Sequence, residues 1–411
     1  MTRALRIVLL TETYAPQVGG AETQARLLAE GLAARGHRLL VVTRRTSRDL
    51  PRREVLLGVR VRRVGPVGSH HLLKWGLVGS VPPGALGALR SADVLFVSGL
   101  RVLGIPVRLT SLAARVPCVL KSDNNGELSG AFFERGLRRL RLRTDSAAVR
   151  IAIAARNRLL RGANAWVAIS EDIATEYESH GVPAPRIHRI PNGVDTERFR
   201  PASEQDRAAL RRRLGLPARA PVAIYTGRLV SYKGLPELLE AWRSVLRLHP
   251  DAILLLVGPG GLDIHNCEAE LRGFVDLHEM AESVRFTGVV DAVEDYLRAA
   301  DVFALPSRNE AFGLSLVEAM ACGLPCVATP VGAMREIVRD GDSGLLVRAG
   351  DPEALARALA DLLAGGPESL AMGARAAESV RGRFGANAVI GAYEDLFRRV
   401  SARVTAQEEL A

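Results

Sequence analysis

The sequence predicts two α/β domains, each built around a doubly wound parallel sheet. Short, nearly continuous apolar segments alternate with amphipathic helical segments along the 411 residues. Strands of this kind are typical of parallel sheets that are covered on both faces. The alternation runs twice and is interrupted at residues 190–195, where Pro, Asn and Gly follow one another. A chain of this length suffices for two or three domains with separate cores.

Each half of the chain contains a series of predicted strands. In the first half we expect strands at 5–10, 38–43, 59–64, 93–98, 117–121 and 164–169. In the second half we expect them at 221–226, 252–257, 284–287, 302–305, 325–328 and 344–347. A polar helix is predicted within 201–220 and a helical tail within 367–400, where apolar residues recur at helical spacing.

Charge is distributed unevenly along the chain. Residues 1–195 contain 30 Lys and Arg against 15 Asp and Glu, whereas residues 196–411 contain 25 against 30. The excess in the first half predicts an acidic partner. The basic amphipathic segment 134–161 and the apolar segment around Trp75 favour an anionic membrane surface; a solvated arginine face is the alternative. Nucleic acid is not expected as a partner, because only 5% of the residues are aromatic.

The sequence lacks the features of secreted, membrane-spanning and zinc-binding proteins. The N-terminus enters an apolar strand pattern directly, and no run of about 18 uncharged apolar residues follows. The four cysteines are scattered among predicted core segments, so we expect buried thiols rather than disulfides or zinc ligands. We therefore expect a cytoplasmic protein, with peripheral attachment to the inner face of the membrane as an option.

Two glutamates eight residues apart, Glu310 and Glu318, form the most informative pair. Glu310 follows the predicted strand 302–305, and Glu318 falls about two turns into the helix that Gly313 opens. Helix N-termini present free N–H groups to anions. A carboxylate, a row of amide donors and a second carboxylate suit a sugar, a diphosphate and a ribose. The arrangement favours a sugar-nucleotide enzyme.

Two further loops point to an anionic ligand. Arg228 and Lys233 lie in a glycine-bounded loop after the first strand of the second half, at the strand end where α/β sheets bind ligands. Both side chains suit phosphate, although solvated surface cations are the alternative. Gly19 and Gly20 follow the first strand and open a helix; they would let a ligand approach the backbone, and a plain tight turn is an equal alternative.

The ordered set of these segments resembles glycosyltransferase family 4, whose members are retaining enzymes with the GT-B fold. The set covers nearly the whole chain and comprises residues 11–22, 190–195, 227–234, 301–307 and 309–325. The resemblance implies two doubly wound Rossmann-like domains that face each other across a cleft, with C-terminal helices crossing back to the first. It assigns 1–195 to acceptor binding, 196–384 to nucleotide-sugar donor binding and 385–411 to a helix on the first domain.

The resemblance also implies roles for individual residues. Arg228 and Lys233 would hold the donor diphosphate and neutralise the leaving group, Glu310 would contact hydroxyls of the donor sugar, and Glu318 would accept hydrogen bonds from the ribose. Further donor contacts would come from Gly19, Gly20, Val290, Phe312, Gly313 and Leu314. No metal or other cofactor is expected, because the two cations and the helix amides would stabilise the departing diphosphate.

One segment departs from the family pattern. Many relatives carry a histidine after the strand that matches 117–121, and residues 119–127 contain none. Lys121 and Asp123 are candidates to contact the donor sugar or the acceptor instead, and Asp123 completes the predicted catalytic set with Glu310, Arg228 and Lys233. The alternative is a turn whose Asp, Asn and Gly have no catalytic role.

The resemblance implies a retaining hexosyltransferase that needs no metal and uses a nucleoside-diphosphate sugar, with a UDP-sugar favoured and GDP-mannose next. The expected acceptor is a cell-envelope glycolipid or polysaccharide precursor, or another sugar or small molecule. One alternative is a dinucleotide-dependent oxidoreductase, which would need a G-x-G-x-x-G loop and an acidic residue where Arg44 and Arg45 follow the second strand. The other is a non-catalytic sugar-nucleotide binder.

Overall fold

The computed structural model describes residues 3–17, 19–68, 76–131, 146–261 and 265–408. The chain forms two compact domains: the first contains Met1–Gly193 and Ala386–Ala411, and the second contains Val194–Gly385. The boundary falls within the predicted breaker segment. Gly193 exchanges hydrogen bonds of 2.7 and 2.8 Å with the Gln24 side chain of the first domain. The N–H of Val194 donates to the carbonyl of Phe384 in the second domain, at 2.8 Å.

An eight-stranded sheet forms the first domain. Its strands are β1 (Arg6–Thr11), β2 (Arg38–Arg44), β3 (Arg53–Leu56), β4 (Val59–Val64), β5 (Val94–Ser98), β6 (Cys118–Lys121), β7 (Ala165–Ala168) and β8 (Ile187–Arg189). They lie in the order β3-β4-β2-β1-β5-β6-β7-β8, and the β3–β4 pair is antiparallel. The intervening helices are α1 (Gly20–Ala34), α2 (Leu77–Leu89), α3 (Leu100–Ala114), α4 (Ala147–Leu160) and α5 (Glu171–Ser179).

The second domain has a six-stranded parallel sheet. Its strands are β9 (Val222–Thr226), β10 (Ile253–Val257), β11 (Val284–Gly288), β12 (Val302–Leu305), β13 (Cys326–Ala328) and β14 (Leu345–Leu346). Their order is β11-β10-β9-β12-β13-β14. Its helices are α6 (Glu204–Arg213), α7 (Leu235–Leu248), α8 (Glu268–Leu277), α9 (Val293–Ala299), α10 (Leu314–Ala321), α11 (Met334–Ile337), α12 (Pro352–Leu363) and α13 (Pro367–Phe384).

The last helix, α14 (Ala386–Glu408), belongs to the first domain although it follows the second in sequence. Its Tyr393 and Phe397 pack on Phe96 of β5, with ring centroids 5.5 Å apart in both pairs. Gly31 of α1 makes room for Ile390 of α14, because a Cβ on Gly31 would lie 2.2 Å from the Ile390 side chain. Of the two C-terminal helices, only α14 returns to the first domain, since α13 remains in the second.

All the predicted strands are present, with ends shifted by at most one residue, and two strands, β3 and β8, were not predicted. β3 is an edge strand with alternating half-buried and exposed residues, so it lacks the continuous apolar run that marks a central strand. β8 spans three residues, Ile187–Arg189, that are partly or fully exposed. The four cysteines are buried free thiols, as predicted.

Parts of the predicted membrane-binding segments lie outside the described residues. These parts are residues 72–75 of the apolar segment and 134–145 of the basic segment; most of the remaining basic segment forms α4. Within the described part of the chain, no helix combines the length and the apolar character needed to cross a bilayer.

The packing of α14 predicts that Phe397 stabilises the first domain. Phe397→Ala removes a fully buried ring and should lower the free energy of unfolding of that domain by about 3–5 kcal/mol. Hydrogen exchange followed by mass spectrometry should show faster exchange in β1 and β5 and unchanged exchange in β9 and β10. The matched control is Leu370→Ala on α13, where the side chain is exposed; equal effects of the two changes would contradict the assignment of α14.

Candidate active site

The two loops that carry the predicted cations and Glu310 leave the second sheet at its centre. β9 and β12 are neighbours there, and the chain winds outward from them in opposite directions, to β10 and β11 on one side and to β13 and β14 on the other. Ligands of open parallel sheets bind outside the strand ends beside such a reversal. Arg228 and Lys233 follow β9, and Glu310 follows β12.

The backbones of these two loops are in direct contact. Gly234 has φ +71°, and a Cβ at this position would lie 1.9 Å from the carbonyl oxygen of Pro306. The N–H groups of Arg308 and Asn309 donate to the carbonyl of Tyr232, at 2.9 and 3.3 Å. Only glycine permits this approach at position 234, so the sequence itself sets how closely the loops meet.

This contact brings Lys233 and Glu310 together. The ammonium of Lys233 forms an ion pair with Oε2 of Glu310, and each side chain retains 16% of its exposed area. A second cation lies close by, since Nη2 of Arg228 donates to the hydroxyl of Tyr232 at 2.9 Å. The Tyr232 ring also lies 5.8 Å from the Lys233 ammonium. Sequence reasoning named both cations but missed Tyr232, which stands between them in the same loop.

Helix α10 begins four residues after Glu310. Gly313 caps it with φ +88°, and the N–H groups of Leu316 and Val317 return to its carbonyl, at 3.0 and 3.2 Å. Among the described residues, no group accepts a hydrogen bond from the N–H of Leu314 or Ser315. Such free donors form an anion-binding position. Phe312 is buried and helps to anchor this turn through an edge-to-face contact with Phe384, with centroids 5.8 Å apart.

Glu318 lies farther along α10 in a different electrostatic environment. The residue is half-buried, and desolvation of its carboxyl group raises the pKa of Glu318 to about 8, against the opposite charge of Arg198 and with the like charge of Glu294. Arg198 and Glu294 form an ion pair with each other at 2.7 Å. Neither residue was predicted from the sequence, because they belong to segments far from the glutamate pair and from each other.

The loop predicted to contact the base is joined to the loop after β9. The N–H of Gly258 donates to the carbonyl of Gly288 at 2.9 Å, and a Cβ on Gly258 would lie 2.1 Å from the carbonyl oxygen of Gly227. Val289 is 74% exposed and Val290 is half-buried. The loop after β11 therefore has a defined position next to the start of the cationic loop, and base contact by Val290 stays a prediction.

The remaining predicted residues, Gly19, Gly20 and Asp123, lie in the first domain. Gly19 caps α1 with extended backbone. The Glu22 carboxylate folds back towards Gly19 and accepts a hydrogen bond from the hydroxyl of Thr13. Donor binding by the two glycines stays a prediction.

Asp123 takes part in a buried polar cluster at the ends of β5 and β6. Its carboxylate pairs with Lys121 at 2.6 Å and accepts hydrogen bonds from the hydroxyl of Ser98 at 3.0 and 3.1 Å. Lys121 is 3% exposed. The segment forms a turn and buries a cation with its counter-ion, and a catalytic role of Asp123 stays a prediction.

Two further carboxylates hold the loop that follows Asp123. Glu176 accepts hydrogen bonds from the N–H groups of Gly126, Leu128 and Ser129 at 2.8–2.9 Å. Glu127 is fully buried and accepts from the N–H of Leu100 at 2.9 Å. Burial raises the pKa of Glu127 to about 7, against the charge of Arg101. Sequence reasoning missed both carboxylates.

Comparison with known proteins decides the family. Residues 19–193 match the model of the glycosyl transferase 4-like domain, and residues 206–379 match that of glycosyl transferases group 1. The chain is also similar to D-inositol 3-phosphate glycosyltransferase of Xylanimonas cellulosilytica, with 31% identity over 98% of both proteins. The chain belongs to glycosyltransferase family 4. The oxidoreductase alternative is therefore set aside, and the predicted family is confirmed.

A further relative and a solved structure are also similar to this glycosyltransferase. About half of the chain, 50%, is 34% identical to a GDP-mannose-dependent monoacylated alpha-(1-6)-phosphatidylinositol monomannoside mannosyltransferase of Corynebacterium glutamicum, and covers 54% of that protein. The fold resembles that of sucrose-phosphate synthase from Thermosynechococcus elongatus, with a TM-score of 0.76, 24% identity, and coverage of 97% of this chain and 100% of the other. This similarity supports the predicted GT-B fold.

The raised pKa of Glu318 predicts a pH-dependent stability. The folded protein keeps this proton up to about pH 8, whereas the unfolded chain loses it near 4.5. Stability should therefore fall as the pH rises from about 4.5 to about 8. Glu318→Gln should raise the melting temperature relative to wild type at about pH 9 and by less at about pH 5. Exposed Glu282 supplies the control, Glu282→Gln; an effect of Glu318→Gln that does not vary with pH would contradict the buried proton.

Proposed function

We propose that this glycosyltransferase transfers a hexose from a nucleoside-diphosphate sugar to an acceptor hydroxyl with retention of anomeric configuration. The observation that carries the proposal is the Lys233–Glu310 pair at the centre of the second sheet, beside the free N–H groups of α10. A cation and amide donors suit a diphosphate, whereas a carboxylate suits sugar hydroxyls. One donor molecule would supply both partners.

The bound donor would replace the contact that the two side chains make with each other. Lys233 would turn its charge to the diphosphate, with Arg228 as the second, more exposed cation. Glu310 would then accept hydrogen bonds from hydroxyls of the sugar. Because both Lys233 and Glu310 are mostly buried, a ligand that satisfied only one of them would leave the other charge without a partner, at a cost of several kcal/mol by typical values for broken buried pairs.

In the proposed reaction, the acceptor oxygen forms a bond to the anomeric carbon while the bond from that carbon to the diphosphate oxygen breaks. The acceptor attacks from the face that the diphosphate leaves, and the acceptor proton passes to the departing diphosphate. No protein nucleophile is required. Lys233, Arg228 and the α10 amides stabilise the negative charge that develops on the diphosphate, which is the role that a metal ion has in other transferases. We therefore propose that the reaction needs no metal.

We also propose which residues contact the ribose and the base of the donor, and which donors are favoured. Glu318 would bind the ribose, and the loop after β11 would lie against the base, with Val290 as the side-chain contact. A UDP-sugar is the favoured donor. GDP-mannose is the next candidate, and a mannosyltransferase relative is named for its dependence on this donor.

For the acceptor we propose a cell-envelope glycolipid or polysaccharide precursor, and the first domain as its binding domain. A relative that is similar over the whole chain is named for D-inositol 3-phosphate, so a phosphorylated polyol belongs among the acceptors to be tested. Asp123 and Lys121 would be the acceptor or sugar contacts that stand in place of the family histidine.

Replacing the carboxylate of Glu310 is the most direct test of the proposed transfer. Glu310→Gln keeps the size of the side chain but removes its charge, and should lower kcat on the order of 10²–10³-fold; Lys233→Met should do the same. The assay follows release of the nucleoside diphosphate with lipid extract or D-inositol 3-phosphate as the acceptor, and NMR determines the anomeric configuration of the product.

The controls for this test are Glu282→Gln and Arg243→Met, which change exposed residues of the same domain. Full activity of Glu310→Gln would contradict the role of the carboxylate. An inverted product would contradict retention, and loss of activity on addition of EDTA would contradict metal independence.

Nucleotide binding separates the donor candidates. In a thermal-shift series with UDP, GDP and ADP, we expect UDP, the nucleotide of the favoured donor, to raise the melting temperature most. A ligand stabilises the fold by about 2.7 kcal/mol at a hundred times its Kd, so at equal concentrations the nucleotide that binds most tightly gives the largest shift. Lys233→Met should reduce that shift. A larger shift with GDP would favour GDP-mannose as the donor, and no shift with any of the three would contradict a nucleotide site.

A further inference from the structure

Tyr232 lies between the two cations of the candidate site and contacts both of them. Its hydroxyl accepts a hydrogen bond from Nη2 of Arg228 at 2.9 Å, and the centroid of its ring lies 5.8 Å from the ammonium of Lys233. Arg228 is exposed, whereas Tyr232 is half-buried. An exposed arginine side chain samples many rotamers, so a hydroxyl in a fixed position restricts where its guanidinium lies.

The Tyr232 side chain is itself held by a neighbouring segment. Its ring packs edge to face on the ring of His265, with centroids 5.4 Å apart and an interplanar angle of 80°. His265 lies between β10 and α8, and its carbonyl accepts a hydrogen bond from the N–H of Ser231 at 2.9 Å. The backbones of Val230 and Asn266 also form an antiparallel bridge. Because backbone contacts fix the ring that Tyr232 packs on, the phenol hydroxyl has a defined position.

The main chain of Arg228 is fixed as well. Its carbonyl accepts a hydrogen bond from the hydroxyl of Tyr225 at 2.9 Å, and Tyr225 is fully buried. The N–H of the next residue, Leu229, donates to the carbonyl of Pro259 at 2.9 Å. Rotation of the side chain is therefore the main freedom that Arg228 retains, and the contact with Tyr232 restricts this rotation.

The two tyrosines next to Arg228 differ in what their hydroxyls contact. The hydroxyl of the buried Tyr225 donates to a main-chain carbonyl, as is usual for a tyrosine that stabilises a fold. The hydroxyl of Tyr232 instead contacts the charged end of an exposed side chain. Loss of such a surface contact usually changes stability little. The contact therefore points to a function rather than to support of the fold.

We propose that Tyr232 is a positioning residue for the transfer reaction, in which its hydroxyl aims the Arg228 guanidinium at the departing diphosphate. The inference rests on the proposed function, since it requires that Arg228 stabilises the leaving group. A guanidinium that is already aimed does not reorganise while negative charge develops on the diphosphate, so its benefit is greatest in the transition state. The Tyr232 ring adds a weaker attraction to the ammonium of Lys233.

Tyr232→Phe tests the proposal, because it removes the hydroxyl and keeps the ring that packs on His265. It should lower kcat on the order of tenfold, with the donor KM within about twofold of wild type and the melting temperature unchanged. Isothermal titration calorimetry with inorganic pyrophosphate should show a loss of affinity of similar size. The reason is that pyrophosphate, like the departing diphosphate, carries the full negative charge that Arg228 would meet.

A double-mutant cycle separates positioning from support of the loop. In an Arg228→Met background no guanidinium remains to be aimed, so the addition of Tyr232→Phe should change kcat and pyrophosphate affinity by less than about twofold. A residue that merely supported the loop would give the same loss in both backgrounds. The control is Tyr296→Phe, which removes the hydroxyl of another half-buried tyrosine of the second domain and should behave like wild type.

The outcomes distinguish this inference from the proposed function. Wild-type kcat and pyrophosphate affinity in Tyr232→Phe would overturn the inference. So would a loss of the same size in the Arg228→Met background or in Tyr296→Phe. All of these results come with a wild-type enzyme that is active. A wild-type protein that neither turns over a nucleotide sugar nor binds pyrophosphate would contradict the proposed transfer itself, and the inference with it.

Discussion

The candidate site depends on one close approach between two loops of the second domain. Gly234 lies against the carbonyl of Pro306 at a distance that no side chain would permit, and the carbonyl of Tyr232 holds the N–H groups of Arg308 and Asn309. Because these contacts are made by the backbone, the spacing of the loops does not depend on flexible side chains. The Lys233–Glu310 pair, the position of Arg228 beside Tyr232 and the start of α10 all follow from it.

Each domain contains a largely buried ion pair close to the ends of its strands. Lys233 and Glu310 neutralise each other in the second domain, and Lys121 and Asp123 do so in the first. A buried charge is costly without a partner, so each of these four charges is stabilised by its counter-ion. Glu318 differs from these charged residues, because burial raises the pKa of its carboxyl group to about 8 despite the nearby Arg198. It keeps its proton in part because Glu294 already pairs with Arg198.

The helices of the first domain differ in whether their apolar side chains are buried or exposed. On one side, α1 and α14 bury Tyr393 and Phe397 against the sheet, so the end of the chain completes a core that begins near its start. On α2, α3 and α4, by contrast, aliphatic residues remain exposed among arginines. Periodicity alone does not distinguish these two environments, because apolar residues recur at helical spacing in both.

The sequence alone was enough to predict the two α/β domains, the central strands, the break near residue 193 and the loops that carry Arg228, Lys233 and Glu310. These features have local causes: continuous apolar runs, breaker residues and glycines at strand ends. It did not reveal β3 or β8, whose short exposed segments lack that pattern, nor the roles of Tyr232, Glu176, Arg198 and Glu294. These features became visible only in the folded chain, because they depend on which distant segments meet. A contact between residues 198 and 294 leaves no periodic pattern in the sequence.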